Sequence, residues 1–259
     1  MGVALDLYNS FEVEYSDDWQ FEGFEEKYAN EDNLFIKAYK KAIAYKNYEL
    51  KKLKIKIESN IPVCRGLGSS SCLSVAGIYA FSALNNNCLS KKEMLELATE
   101  LEGHPDNVAP TIYGGLCVMH NGELLKVDID ERYKFGLWIP NKEVSTKMAR
   151  EVLPLSYKLE DVVNNVSASL FVIEALRSFD TKNISFIMDD KIHEPYRCKL
   201  IDNFDQVKDY AMNNGALAFI ISGSGSTCLS ISDKVLDVDN VYGFEYMNVL
   251  INREGVING

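Results

Sequence analysis

The chain has 259 residues, 27 basic against 38 acidic, for a formal net charge of −11; 47% of it is hydrophobic and 25% charged. That balance fits a globular chain and excludes a disordered, collagen-like or disulfide-stapled one. So acidic a chain has no electrostatic drive toward nucleic acid or an anionic membrane, so small molecules are the expected ligands.

Phe11 to Tyr15 alternates apolar and polar residues, which predicts a half-buried strand. Asn33 is placed to cap a helix from Leu34 to about Tyr45, with Leu34, Ala38, Ala42 and Tyr45 on one face. Leu53 to Glu58 alternates again. A small-residue helix is expected from Ser70 to about Leu84. A further helix follows from Ser90, whose spacing to Glu93 makes a capping box, to about Glu102. Tyr113–Val118 and Glu123–Val127 read as a hairpin around Asn121-Gly122. After Pro140 the texture changes. Helices are expected near Ser145–Glu151, Leu159–Phe179, Asp189 and Asp202–Asn213. Strands are expected at Ala216–Ser222, Thr227–Ile231 and Phe244–Ile251. One soft boundary falls near residue 134, dividing residues 1–133 from 134–259.

Six scattered cysteines form no C-x-x-C pair and no zinc spacing, which predicts reduced thiols in a cytoplasmic compartment. No apolar run is long enough for a membrane span. Met1 to Asp6 carries neither the basic region nor the apolar stretch of a signal peptide.

The richest segment is Ile61-Pro62-Val63-Cys64-Arg65-Gly66-Leu67-Gly68-Ser69-Ser70-Ser71-Cys72, after a strand and into a helix. Glycines allow close backbone approach and positive φ, and a helix N-terminus offers free N–H groups and about +0.5 of charge. Such a loop suits phosphate. It is not a Walker A loop, because no Gly-Lys-Ser/Thr follows, nor a dinucleotide fingerprint, because Ser71 stands at the third glycine position. On its own it is as well read as a plain strand-to-helix turn.

Two further segments change that balance: Glu102-Gly103-His104-Pro105-Asp106-Asn107-Val108-Ala109-Pro110, and Ser222-Gly223-Ser224-Gly225-Ser226-Thr227. With the glycine loop they resemble the GHMP kinases, and the His-Pro-Asp-Asn-Val-Ala-Pro run resembles the homoserine kinase branch in particular. The resemblance extends to Ser145–Arg150 with Leu153-Pro154, and to His193-Glu194-Pro195-Tyr196-Arg197. Ser226 stands where the third motif usually has proline.

The resemblance implies an α+β, two-domain GHMP kinase-like fold. Its N-terminal domain would be ribosomal-protein-S5-domain-2-like and its C-terminal domain ferredoxin-like. It implies transfer of phosphate from ATP, with Mg²⁺, to the hydroxyl of L-homoserine, in threonine biosynthesis. It allows a homodimer and gives no nucleic-acid or membrane partner. By family position, Asn33, Pro62, Arg65, Gly66, Leu67, Gly68, Ser69, Ser70, Ser71 and Cys72 would surround ATP. Ser70 and Glu96 would hold the metal, Glu96 because it stands 11 residues before Asn107 (107 − 96), the family's spacing. Asn107 would position the reacting hydroxyl, since an amide is no general base. His104, Asp106, Asn107, Thr146, Arg150, Arg197, Gly223 and Gly225 would surround the amino-acid substrate.

Plainer readings stand beside these: a helix cap for Ser70 or Asn33, a solvated glutamate for Glu96, a turn-ordering His104, surface ion pairs for the arginines. His120 and the Asp189-Asp190 pair read as structural or solvated. A kinase of another small alcohol is the neighbouring alternative, although mevalonate-type enzymes favour aspartate over Asn107. A non-catalytic binding chain is the distant one. The family also opens with a strand and a Ser-Ala-Asn…Gly-Phe-Asp segment ahead of the stretch like Gly2–Asn9. The sequence read from Met1 lacks both. The expectation is a marginally stable chain that binds ATP with little homoserine turnover, and an in-frame upstream stretch encoding the segment.

Overall fold

In the computed structural model, which describes residues 1–257, the chain divides into two compact units. The first comprises residues 1–62, 68–126 and 251 onward; the second comprises 63–67 and 127–250. The segments of the two units therefore alternate along the sequence, where the sequence suggested one cut near residue 134. The tail rejoins the first unit because Ile251 bridges Leu5 and the Asn252 carbonyl accepts from Gly115 N at 2.6 Å.

The first unit runs β1 (Gly2–Val3), β2 (Asn9–Ser16), β3 (Gln20–Glu22), α1 (Leu34–Lys46), β4 (Lys52–Ser59), α2 (Ser69–Leu84), α3 (Lys91–Glu102), α4 (Val108–Tyr113), β5 (Leu116–His120) and β6 (Glu123–Val127). One sheet has the order β2-β4-β3, with β4 antiparallel to β2 and parallel to β3; another has the order β1-β5-β6. The period of two in β4 sorts its side chains. Leu53, Ile55 and Ile57 are buried beneath the helices. On the opposite face Lys52, Lys54 and Lys56 pair with Asp18, Glu22 and Glu12. The sequence-read caps form: Asn33 Oδ1 accepts from Phe35 N at 2.8 Å, and Ser90 with Glu93 makes a full capping box.

Helices α1 and α2 touch through Gly77. A Cβ there would stand 2.1 Å from the Phe35 carbonyl oxygen and 3.0 Å from Ala38 Cβ. Backbone cannot yield as a side chain tip can, so Gly77→Ala is expected to cost about 3 kcal/mol, the upper end of overpacking. Denaturant unfolding measures this, and a loss under about 0.5 kcal/mol, the usual limit for surface changes, contradicts it.

The second unit runs β7 (Lys134–Pro140), α5 (Thr146–Glu151), α6 (Leu159–Ser178), α7 (Glu194–Arg197), α8 (Phe204–Asn213), β8 (Ala218–Ile221), β9 (Cys228–Ser232) and β10 (Phe244–Val249). Its all-antiparallel sheet has the order β10-β7-β9-β8: fourth, first, third and second strand of the unit, which is the ferredoxin-like order. A loop rather than a helix joins β9 to β10. Trp138 is fully buried at its centre, its Nε1 donating to Ser230 Oγ at 3.0 Å.

Three local readings are corrected. Residues 108–113 are helical, so the strand begins at Leu116 rather than Tyr113. Pro110 is tolerated in a first turn, and Gly114 and Gly115, both at positive φ, end the helix. The expected helix at Asp189 is a loop after a 3₁₀ turn at Asn183–Met188, because the Asp190 carboxylate captures backbone N–H groups. The last strand stops at Val249. All six cysteines are unpaired. Among the described residues no helix is long and apolar enough to cross a membrane.

Candidate active site

The expected site residues gather in two clusters, one in each unit. In the first unit, Gly68 sits at the N-cap of α2 with φ 72 and ψ 22, and no side chain caps the helix. The first helical bond runs from Cys72 N to the Gly68 carbonyl at 3.0 Å. Helix geometry therefore leaves the N–H groups of Ser69, Ser70 and Ser71 without intrahelical acceptors. An uncapped helix start of this kind is suited to an anion. Cys72 contributes no free N–H, and burial pushes its thiol up to about 11, so it is a neutral core side chain here.

The carboxylate that meets Ser70 is Glu102, not Glu96. Ser70 Oγ donates to Glu102 Oε1 at 2.8 Å and Oε2 at 3.0 Å. Ser74 Oγ donates to Oε1 at 2.7 Å and Ser71 Oγ to Oε2 at 3.3 Å. Glu96 is exposed. The reason is helical phase: Leu95 and Ala98 are buried, and Glu102 follows them at i+7 and i+4, whereas Glu96 lies between them on the outer side. One signal was available in the sequence, namely a glutamate in register with the apolar stripe. Glu102 and Ser70 form a hard-oxygen pair suited to Mg²⁺, which needs few protein ligands and keeps waters. Among the described residues there is no group of three or more His, Cys, Asp or Glu side chains able to hold a metal, so water and phosphate oxygens would complete such a shell.

Asn107 lies against the glycine loop. A Cβ on Gly68 would stand 3.6 Å from Asn107 Cβ and 3.7 Å from its Cγ. Its side chain does not cap α4, which leaves the amide available to a ligand. His104 Nδ1 is buried with no hydrogen-bond partner. The Asp106 side chain is exposed, and its carbonyl oxygen would lie 2.2 Å from a Cβ on Gly2, so β1 requires glycine at this contact. Asn33 is buried and acts as a cap: besides the Phe35 bond, its Nδ2 donates to the Tyr28 carbonyl at 2.7 Å. Pro62 is half-buried, just after β4.

In the second unit, Gly66, at φ 73, meets the other glycine turn. Ser222 Oγ donates to the Gly66 carbonyl at 2.9 Å, and a Cβ on Gly66 would stand 2.2 Å from the Ser222 carbonyl oxygen. Gly223 and Gly225 hold φ 55 and 84 in that turn. Arg65 is tied down within this unit. Its Nε and Nη2 donate to the carbonyls of Pro140 and Asn141 at 3.0 and 2.7 Å, and Nη1 lies 3.4 Å from Glu143. Leu67 is half-buried and ends this segment.

Ser145 caps α5, bringing Thr146 Oγ1 to 3.4 Å from Ser224 Oγ. Arg197 donates from Nε to the Ala149 carbonyl at 3.1 Å and from Nη1 to the Gly223 carbonyl at 3.0 Å. Burial, and secondarily the like charge of exposed Arg150, lowers its pKa from the ordinary arginine value. A partly desolvated guanidinium beside a second one is a setting that favours an anionic ligand. Sequence reasoning missed Ser74, Glu102 and Ser224, each of which enters the site through a partner far along the chain.

Comparison with known proteins gives the family. Residues 33–115 match the family described as GHMP kinases N terminal domain, and residues 172–243 match GHMP kinases C terminal. A homoserine kinase of Clostridium botulinum is 42% identical over 234 residues, 88% of this chain and 79% of that protein. One from Clostridium acetobutylicum is 36% identical over 242 residues, 90% and 82% of the two chains. The crystal structure of homoserine kinase from Cytophaga hutchinsonii superposes with a TM-score of 0.86 at 28% identity, covering 97% of this chain and 89% of that one. Methanococcus jannaschii mevalonate kinase shares the fold, with a TM-score of 0.73 at 18% identity, covering 96% and 90%. A phosphate-type helix start, a serine–glutamate pair and relatives of this identity along most of the chain together make it a member of the GHMP kinases, in their homoserine kinase branch.

Proposed function

We propose that the chain transfers the γ-phosphoryl group of ATP to the hydroxyl of L-homoserine, giving O-phospho-L-homoserine on the route to threonine. The observation that carries this reading is the uncapped start of α2, with Ser70 on Glu102 and Asn107 against Gly68. The N–H groups of Ser69, Ser70 and Ser71 bind phosphate oxygens. Ser70 and Glu102 would hold Mg²⁺, which when bound neutralises phosphate charge. Asn107 orients the substrate hydroxyl by hydrogen bonding. It cannot take the proton, so its contribution is alignment, which is most of what a loose phosphoryl-transfer transition state needs from the protein. Arg197, with Thr146 and Arg150, grips the amino acid through its carboxylate. The six unpaired cysteines support a reducing, cytoplasmic setting.

Homoserine-dependent release of ADP by the full-length enzyme tests the reaction, and its absence overturns it. Arg197→Ala tests the substrate assignment. Loss of a charge-assisted hydrogen bond costs about 1.5–3 kcal/mol, or about 10- to 150-fold in binding. The homoserine KM is expected to rise within that range while the ATP KM stays within about twofold. A rise in the ATP KM instead places this arginine at the nucleotide.

A further inference from the structure

Read from sequence, Asp190 is half of an adjacent acidic pair taken as structural or solvated. In the structure its carboxylate is a junction. Oδ1 accepts from Asn165 Nδ2 at 2.6 Å and from Ile192 N at 2.8 Å. Oδ2 accepts from Glu194 N at 2.9 Å, and His193 N reaches both oxygens at 3.1 and 3.2 Å. His193 Nδ1 lies 3.5 Å from Oδ2. The loop around it is tied to α6 a second and third time: Asn165 Oδ1 accepts from Lys191 N at 2.8 Å, and Asn164 Nδ2 donates to the Asp189 carbonyl at 2.8 Å.

This junction sits directly before α7, a single turn of four residues that ends at Arg197. One turn cannot hold its own shape, because helix nucleation is unfavourable. Its orientation must come from its anchors. Besides Arg197 itself, the Tyr196 ring meets Tyr157 edge to face at 6.3 Å, and two polar groups anchor the turn. Glu194 Oε1 accepts from Lys208 Nζ on α8 at 2.7 Å, with both side chains largely buried. The other is Asp190, which places a negative charge and two oxygen acceptors on the first N–H groups of the turn. At the far end Nε and Nη1 of Arg197 are committed to the Ala149 and Gly223 carbonyls. A displacement of the turn weakens both bonds and re-aims the remaining guanidinium N–H groups. Asp190 also offsets, at longer range, the burial and the Arg150 charge that disfavour the Arg197 cation.

We propose that Asp190, aimed by Asn165, is a positioning residue that fixes α7 so that Arg197 presents its free N–H edge to the carboxylate of the amino-acid substrate. This rests on the homoserine reading above. The role is distinct from folding in general, because it acts on one ligand of two.

The test is steady-state kinetics of the full-length enzyme, with homoserine and ATP varied in turn, for wild type, Asp190→Asn, Arg197→Ala and the double variant. Asp190→Asn keeps the shape and turns one acceptor into a donor facing backbone N–H groups. It is expected to raise the homoserine KM about tenfold, the size of one misaimed charge-assisted bond, and to change the ATP KM less than about twofold. In the Arg197→Ala background the same change is expected to add less than about twofold, because the group it positions is gone. Should Asp190→Asn not fold, Asn165→Ala leaves the carboxylate in place but unaims it, and about a threefold rise in the homoserine KM alone is expected. An unchanged homoserine KM, an equal rise for both substrates, or effects that multiply with those of Arg197→Ala all overturn the proposal. If Arg197→Ala itself leaves the homoserine KM alone, or wild type turns over no homoserine, the substrate reading has failed and takes this proposal with it.

Discussion

Gly68→Val is expected to abolish ATP binding in a protein that stays folded. Two effects act together at one position. Gly68 holds φ 72 and ψ 22, a left-handed conformation that costs an L-residue about 1–2 kcal/mol and a β-branched residue more. A Cβ would stand 3.6 Å from Asn107, so ordinary contact is available for the first atom, but the two further methyl groups of valine must go between the loop and Asn107 or out over the helix start. Either place is where a phosphate oxygen must approach the N–H groups of α2. The core beneath is untouched, since Val75, Ile78 and Phe81 of α2 pack a turn or more further along. Calorimetric titration with ATP reads the result, and circular dichroism confirms the fold. The expected loss exceeds about 100-fold, several charge-assisted bonds acting at once. Unchanged ATP affinity in a folded variant refutes the phosphate role of the loop.

Glu102→Gln is expected to lower kcat by about 10²- to 10³-fold, the range seen when one preorganised electrostatic group is removed from a site of charge development. Glutamine keeps an oxygen that Ser70 and Ser74 can donate to, at 2.8 and 2.7 Å in the native geometry, so the helix start stays in place. What disappears is the charge. Activity should then require several-fold more Mg²⁺, because the amide is a far weaker ligand than the carboxylate. Glu96→Gln, on the exposed side of the same helix, is the control and should stay within about twofold of wild type. The two variants separate family spacing from helix phase. A large loss in Glu96→Gln with little in Glu102→Gln reverses the assignment.

The difference between those two glutamates shows where sequence reading stops. Counting 11 residues back from Asn107 reproduces the family's spacing but takes no account of which helix face each glutamate occupies. Here α3 runs to Glu102, and Gly103 closes it in the left-handed conformation. The last residue of the helix therefore reaches the serines, and Glu96 falls a different way round. Arg65 and Asn33 make the same point. Each sits where the family pattern puts a nucleotide contact. Each also makes structural bonds: Arg65 to carbonyls 75 and 76 residues away, and Asn33 to its own helix start. Asp190 is the converse case, a residue without a motif that the fold turns into a junction.

By itself the sequence determined what is local. Asn33, and Ser90 with Glu93, announced helix starts because a cap is written within three residues. The alternation of β4, the Asn121-Gly122 turn and the glycine loop before α2 were legible for the same reason, since each is set by φ/ψ preference and side-chain period over a few positions. The tertiary structure alone decided the partners. It placed β7 between β9 and β10, brought Ile251 back to Leu5, laid Asn107 against Gly68 and turned Glu102 toward three serines. A polar side chain is assigned its role by which face of its element is buried and by what packs across from it. That partner comes from tens to hundreds of residues away, brought there by burial of apolar surface that favours no particular polar pair until the elements have docked.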